Sequence, residues 1–466
     1  MATEESPLLG EVVDIAVLKH EEVYNRFTPA QKRTITALIS LAGLVPFFVS
    51  GTFIPSIPQI AKDLDTTGSV INVAVSLSIF TSSFGSLIWA TYSSYYGRKP
   101  IYLTSIAIEA LGSLGVATAK SVPHLLAWRV MQAFGASSGL SVGVGVIGDI
   151  YKLEERGTAS GIFFAAVLLG AALAPLIGGI TAHYYSWRSM QYGLCGFAIV
   201  CWVCTLLLQP ETSQPGARGV DKARAEGKKA GWVWLNPLNS LALMRSPNVL
   251  FLAIEGALVL LTDIALIVPI AFTLGKQYNI TNEALLGALV IPQGVGNFIG
   301  APLSGALSDR MVIRWRKKRG DKWVPEDRLR ATMWGAGLLV PCSILFSGLT
   351  TQYIKGTVGL VLNLVFFFMN GIGVDFVLSP SGAYVVDILH DRSAEVTAAS
   401  MCFRGLVVST SVVFLLPAIE RFGVAATDGA LAVAAWIGFG LLWCLIKYGD
   451  RLRAWVDVGF TTLKDN

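Results

Sequence analysis

The sequence predicts an all-α membrane protein with about twelve transmembrane helices in two six-helix repeats. Three observations predict it: a dozen apolar runs each near 20 residues long, a composition of 53% hydrophobic and only 14% charged residues, and one long polar stretch that divides the runs into six and six. A mean hydropathy of +0.59 places lipid rather than water around most of the chain.

Each run is long enough to cross a hydrocarbon core of ~30 Å as a helix. Inside hydrocarbon every backbone amide must be satisfied within its own segment, so isolated strands are excluded. In order, the first six spans are expected at 34–54, 70–92, 101–119, 125–148, 159–184 and 190–208. The second six are expected at 249–272, 285–307, 331–350, 356–378, 396–419 and 424–446. This divides the chain into a cytoplasmic tail (1–33), a six-helix bundle (34–208), a cytoplasmic linker (209–248), a second six-helix bundle (249–446) and a second cytoplasmic tail (447–466). The linker is rich in Gly, Lys and Arg over 211–246 and reads as a flexible connection. A second basic segment, Arg314-Trp315-Arg316-Lys317-Lys318-Arg319, separates the eighth and ninth spans and reads as a solvated face near anionic lipid.

The net charge of +5 does not imply a nucleic-acid partner, because the basic residues lie mostly between apolar helices, where they set topology. With both termini inside, the inner segments collect 28 Lys and Arg and the outer loops six, so that orientation is expected. The sequon Asn279-Ile280-Thr281 then falls in an outer loop, which agrees. The acidic, polar N-terminus has no apolar core of the kind a cleaved signal peptide needs.

All six cysteines (Cys195, Cys201, Cys204, Cys342, Cys402 and Cys444) fall in spans, so no disulfide framework is expected and Cys201-x-x-Cys204 reads as two packing residues. No phosphate-binding loop of the form G-x4-G-K-[ST] is present, which argues against an ATP-driven pump. No cofactor, metal site or enzymatic activity is expected.

The halves echo each other. Residues 85–99 resemble 300–314, and Asp149-Ile150 with Arg156 resembles Asp387-Ile388 with Arg392. Such duplication suits a transporter whose site lies between two repeats.

Several motifs are specific. Gly305-Ala306-Leu307-Ser308-Asp309-Arg310 carries the start of a G-x3-D-R-x-G-R-K loop, of which the first half keeps only Gly97-Arg98-Lys99, with Ala90, Ser94 and Tyr95 replacing Gly, Asp and Arg. Arg129-Val130-Met131-Gln132 followed by Gly135 matches R-x-x-Q-G, apart from Ala133. The run from Gly170 through Ala174, Pro175, Gly178 and Gly179 matches G-x3-G-P-x2-G-G, apart from Ala174, and Pro210-Glu211-Thr212 follows the sixth span. On these motifs the chain resembles the major facilitator superfamily, specifically its twelve-span fungal drug:proton antiporters, over about residues 34–446.

The resemblance implies the major facilitator fold and proton-coupled export of a small organic compound by a monomer. The compound would be a drug, organic acid, polyamine or secondary metabolite. The other classes are a solute importer or facilitator and a non-transporting sensor. The family implies the plasma membrane, whereas Glu4-Glu5-Ser6-Pro7-Leu8-Leu9 resembles a dileucine signal for vacuolar or endosomal membranes.

Charge within a span is costly, so each such residue needs a reason. Asp263 sits in mid-span on a helix that lines the cavity in the family, and is the first choice as the proton-binding group. Glu109 is as deep, but on a helix that is peripheral in the family. Asp375 and Arg404 either pair with each other or serve coupling. Glu255 lies nearer the cytoplasmic end and is expected to be solvated. Arg129 either snorkels to the outer interface or tunes a nearby carboxylate. None of the four histidines is central to a span. Arg98, Asp149, Asp309 and Arg310 are expected to hold the inner helix ends together in the outward-facing state. Gly170, Pro175, Gly178 and Gly179 are expected to let the fifth span pack closely and bend.

Overall fold

Hydropathy becomes helix along nearly the whole chain. The computed structural model describes residues 24–151, 153–216, 218–227, 233–389, 393–456 and 458. The dileucine segment, Arg392 and the Arg156 side chain lie outside them. Among the described residues, twelve helices are long and apolar enough to span a membrane. They are α1 (Pro29–Asp63), α2 (Gly68–Tyr96), α3 (Arg98–Ala117), α4 (Val122–Ile150), α5 (Ile162–Tyr184) and α6 (Trp187–Leu208), then α7 (Pro247–Gly275), α8 (Glu283–Lys318), α9 (Pro325–Tyr353), α10 (Gly356–Ile388), α11 (Glu395–Phe422) and α12 (Val424–Trp455).

Several helices outrun the apolar stretches that announce them. Helix α12 continues past 446 to Trp455, and α9 begins at Pro325 with a tight 3-10 turn rather than at 331. At these ends the backbone keeps its hydrogen bonds while charged side chains reach water, so hydropathy falls before helicity does. Starts are fixed by side-chain oxygens. Thr28 caps α1 in a reciprocal box, its N–H donating to Gln31 Oε1 at 2.9 Å while its Oγ1 accepts from the Gln31 N–H at 3.3 Å. Asn282 caps α8 by accepting from the Ala284 and Leu285 N–H groups.

With the basic end taken as the inner end, the core divides unequally. In the inner part each half has its own core, one around Ile39, Tyr102 and Ile147 and the other around Val249, Tyr384 and Leu445. Toward the outer side a single core runs through both halves, from Phe53, Ile57 and Ile71 to Leu261, Leu266 and Val412.

Polar contacts reinforce this outer junction. From α2, Asn72 Nδ2 donates to the Val412 carbonyl at 2.7 Å, and Ser76 Oγ donates to the Ser409 carbonyl of α11 at 2.5 Å. Helix α5 meets α8 through small residues: a Cβ on Gly179 would strike the Glu283 carbonyl, one on Gly287 the Pro175 carbonyl, and one on Gly294 the Ala172 methyl. Backbones approach this closely only where side chains are absent. His183 Nδ1 meets Glu283 Oε2 at 3.0 Å at the outer rim.

Candidate functional site

In the second half, three helices converge on Asp263. Gln293 of α8 donates from Nε2 to Asp263 Oδ1 at 2.6 Å, and the Asn297 amide, one turn further, lies beside the same carboxyl. Asp375 of α10 is the neighbouring charge. Glycines bring α8 and α10 together here, since a Cβ on Gly300 would lie 3.2 Å from Asp375 Cβ and one on Gly371 would lie 2.9 Å from Asn297 Oδ1. Asp263 and Asp375 are both partly accessible, unlike most of their surroundings. The buried atoms left without partners in this cluster (Gln293 Oε1, Asn297 Oδ1 and Asp375 Oδ2) are all acceptors.

Asp375 and Arg404 do not pair. Arg404 instead lies against Glu255 of α7, with its stem packed on Gly256. Glu255, expected to be solvated, is 0% exposed. Its nearness to the inner end does not bring it to water, because α11 covers that face of α7, with Arg404 as the nearby cation and both Glu255 oxygens left without a hydrogen-bond partner among the described residues.

In the first half, Arg129 is 0% exposed and does not reach the outer interface. It donates from Nη1 to the Val49 carbonyl at 3.0 Å and to Gln132 Oε1 at 2.8 Å, and its guanidinium lies 4.2 Å from the centre of the Phe53 ring. Gln132 Nε2 in turn donates to Ser113 Oγ and to Gln191 Oε1, both at 2.8 Å. Ser113 Oγ donates to Glu109 Oε1 at 2.7 Å. A buried acid and a buried base are thus joined through a serine and a glutamine, without direct contact. The network lies within one bundle and leaves Glu109 Oε2, Arg129 Nε and Arg129 Nη2 without hydrogen-bond partners among the described residues.

At the inner ends the halves repeat one arrangement. Arg98, first residue of α3, donates from Nε to Asp149 Oδ2 at 2.9 Å and from Nη1 to Ser93 Oγ at 2.7 Å. In the second half Arg328, in the first turn of α9, donates from Nε to Asp387 Oδ2 at 2.7 Å and from Nη1 to Asp309 Oδ1 at 2.9 Å. Each arginine therefore ties the ends of the second and fourth helices of its own half. Asp309 bonds to Arg328 rather than to Arg310, which is exposed. Glu211, in the linker, accepts from the Arg98 and Lys99 N–H groups at 2.9 and 3.3 Å, placing its charge at the start of α3. Gly97, at φ 111°, leaves room for that carboxylate.

Gly170 packs on Leu44 and Gly178 on the Thr52 backbone, both in α1, while Gly179 and Pro175 face α8. The motif thus serves two interfaces at once. Sequence reasoning did not single out Gln293, Asn297 or Arg328. The repeat itself held the signal for Arg328, since Asp387 stands where Asp149 does and is met by an arginine at the start of the helix before it.

A description of the Major Facilitator Superfamily matches residues 39–412. The chain belongs to the Major Facilitator Superfamily. Within this superfamily it is 28% identical over 447 residues to the efflux pump radE of Floropilus chiversii, covering 91% of this chain and 82% of that one. It is 24% identical to citrate exporter 1 of Aspergillus niger, covering 92% and 88%. It is 22% identical to the MFS antiporter QDR3 of Candida albicans, covering 96% and 82%. In fold it is similar to the human organic anion transporter MFSD10, with a TM-score of 0.58 at 15% identity, covering 89% of this chain and 100% of the other. The chain is a multi-pass membrane protein of a transporter family.

Proposed function

We propose that this transporter exports a small organic compound in exchange for protons, by alternating access. The observation that carries the reading is the Asp263 and Asp375 cluster, two neighbouring acids with no cation beside them among the described residues and only acceptors left over. Two carboxylates this close repel when both are charged, and a bound proton relieves the repulsion while supplying the missing donor. The merged outer core and divided inner cores support the alternating part of the reading. They suit a carrier closed outside, for which the next state would require the α2–α11 and α5–α8 contacts to part. The export direction rests on the relatives named as efflux pumps and exporters.

The test is flux in proteoliposomes holding the purified chain, screened with organic acids, amines and neutral drugs with and without an imposed pH gradient. Solute accumulation against its own gradient, driven by protons moving the other way, is expected. Uptake together with protons would instead identify an importer. The chain is proposed to act as a monomer at the plasma membrane, which fractionation of cells carrying a tagged copy checks. Recovery in vacuolar or endosomal membranes would support the reading of residues 4–9 as a sorting signal.

A further inference from the structure

A small cavity lies near the outer ends of α7, α9, α10 and α12, lined by Ala265, Thr273, Ser347, Thr351 and Asp428 among others. It has room for about one water-sized occupant. Ala265 follows Asp263 by two residues and so points to nearly the opposite face of α7. The cavity is therefore not the proton site described above.

Asp428 is 4% exposed, and neither carboxylate oxygen has a hydrogen-bond donor or ion-pair partner among the described residues. It is held there by shape, since Gly348 lets α9 pass so close that a Cβ would lie 2.8 Å from Asp428 Oδ2. The hydroxyls around the cavity cannot supply the missing donor. Ser347 Oγ and Thr351 Oγ1 both donate to Asn363 Oδ1, at 2.7 and 3.1 Å, and Thr273 Oγ1 donates to the Pro269 carbonyl at 3.0 Å. Each hydroxyl has a single proton, so all three can offer the cavity only lone pairs.

The wall from α7 adds to this excess. Pro269 has no N–H to give the Ala265 carbonyl, and the next residues form a π-turn over Ala271–Gly275, an irregularity that recurs at ligand sites. The cavity thus gathers a carboxylate and hydroxyl lone pairs among the apolar side chains of Leu266, Leu274, Phe367 and Val424, with no side-chain donor to Asp428 among the described residues.

We infer that this cavity is a binding site for one monovalent cation of about the size of sodium, with Asp428 as its charged ligand and Ser347, Thr351 and Thr273 as neutral oxygen ligands. One negative charge balances a single positive charge, whereas a divalent ion would leave one charge unanswered in a buried site. Hard cations take oxygen ligands of this kind. A neutral Asp428 would donate to only one oxygen and leave the other lone pairs facing each other, while a cation answers all of them. The occupant would tie α7 to α9 and α12 at the outer end of the second half.

The purified full chain is titrated with radioactive sodium chloride, with choline chloride holding ionic strength constant. Saturable binding of about one sodium per chain is expected, with a rise in Tm of about 2–4 °C at saturation that choline does not give. Asp428→Asn and Thr351→Val should each weaken binding tenfold or more, while Asp263→Asn leaves it unchanged. Thr351→Val keeps the buried charge and decides the matter should Asp428→Asn fail to fold. No saturable sodium binding by the parent chain would overturn the inference and leave a neutral acid beside a water. So would binding that survives Thr351→Val or vanishes only in Asp263→Asn.

Discussion

The two halves treat a carboxylate in mid-membrane in opposite ways. In the first, Glu109 Oε1 accepts from Ser113, and a chain of hydrogen bonds through Gln132 links that serine to Arg129 within the same bundle. In the second, Asp263 has amides around it and another acid, Asp375, as its nearest charge. A charge answered by fixed neighbours has no need of a mobile partner. An unanswered pair is suited to something that arrives and leaves, which is the contrast behind the proposal that coupling belongs to the second half.

The largest effect that would sharpen this contrast is on Asp263. Asp263→Asn should lower gradient-driven export by about 100-fold or more, the scale of losing an essential proton-transfer group, while leaving substrate exchange without a gradient measurable. Full gradient-driven accumulation by the variant would place the proton elsewhere and break the contrast. Next comes Arg129→Met, which leaves Gln132 Oε1 and the Val49 carbonyl without their donor and should destabilise the chain by about 2–3 kcal/mol. Thermal unfolding in detergent checks it, and a variant of parent stability that nevertheless lost proton coupling would give Arg129 the active role.

Smaller effects probe the repeated inner ends. Asp309→Asn removes one of two carboxylates from Arg328 but leaves Asp387, and the lost pair is exposed, so transport should slow only about threefold. Unchanged initial flux rates would show that this end does not limit the cycle. The smallest effect is expected for Glu109→Gln, which keeps an oxygen to accept from Ser113 and should alter the ratio of protons to substrate by less than about twofold. A collapse of that ratio in paired proton and substrate fluxes would erase the difference between the halves.

The twelve spans were legible because hydrocarbon permits one local answer, and a run of apolar residues states it. Helix ends such as 447–455 of α12 were not, since their polar residues look like loop while their amides remain helical. At the site, the acids were legible as costly residues but their neighbours were not. Asp263 is the charge that acts on Asp375, although 112 positions separate them in the sequence. Nothing local distinguishes that pairing from one with Arg404. Asp428 drew no notice because it stands at the outer beginning of α12, where an acid reads as interfacial, and only the arrival of α9 at Gly348 buries it.

The outer junction between α2 and α11 has a one-sided chemistry. Asn72 and Ser76 supply the donors, and what they meet on α11 is main chain at Val412 and Ser409. A carbonyl is presented by every residue type, so the side chains of Val412 and Ser409 can change without removing these two hydrogen bonds. Ser409→Ala should therefore be silent where Ser76→Ala is not. In the hydrogen bonds of this junction the side-chain fragility thus lies on α2, while α11 is constrained by packing, as at Gly405, where a Cβ would strike Ser83 Oγ. A chain under selection to open more readily has two short routes, loss of a donor at Asn72 or Ser76 on α2 and gain of a side chain at Gly405 on α11.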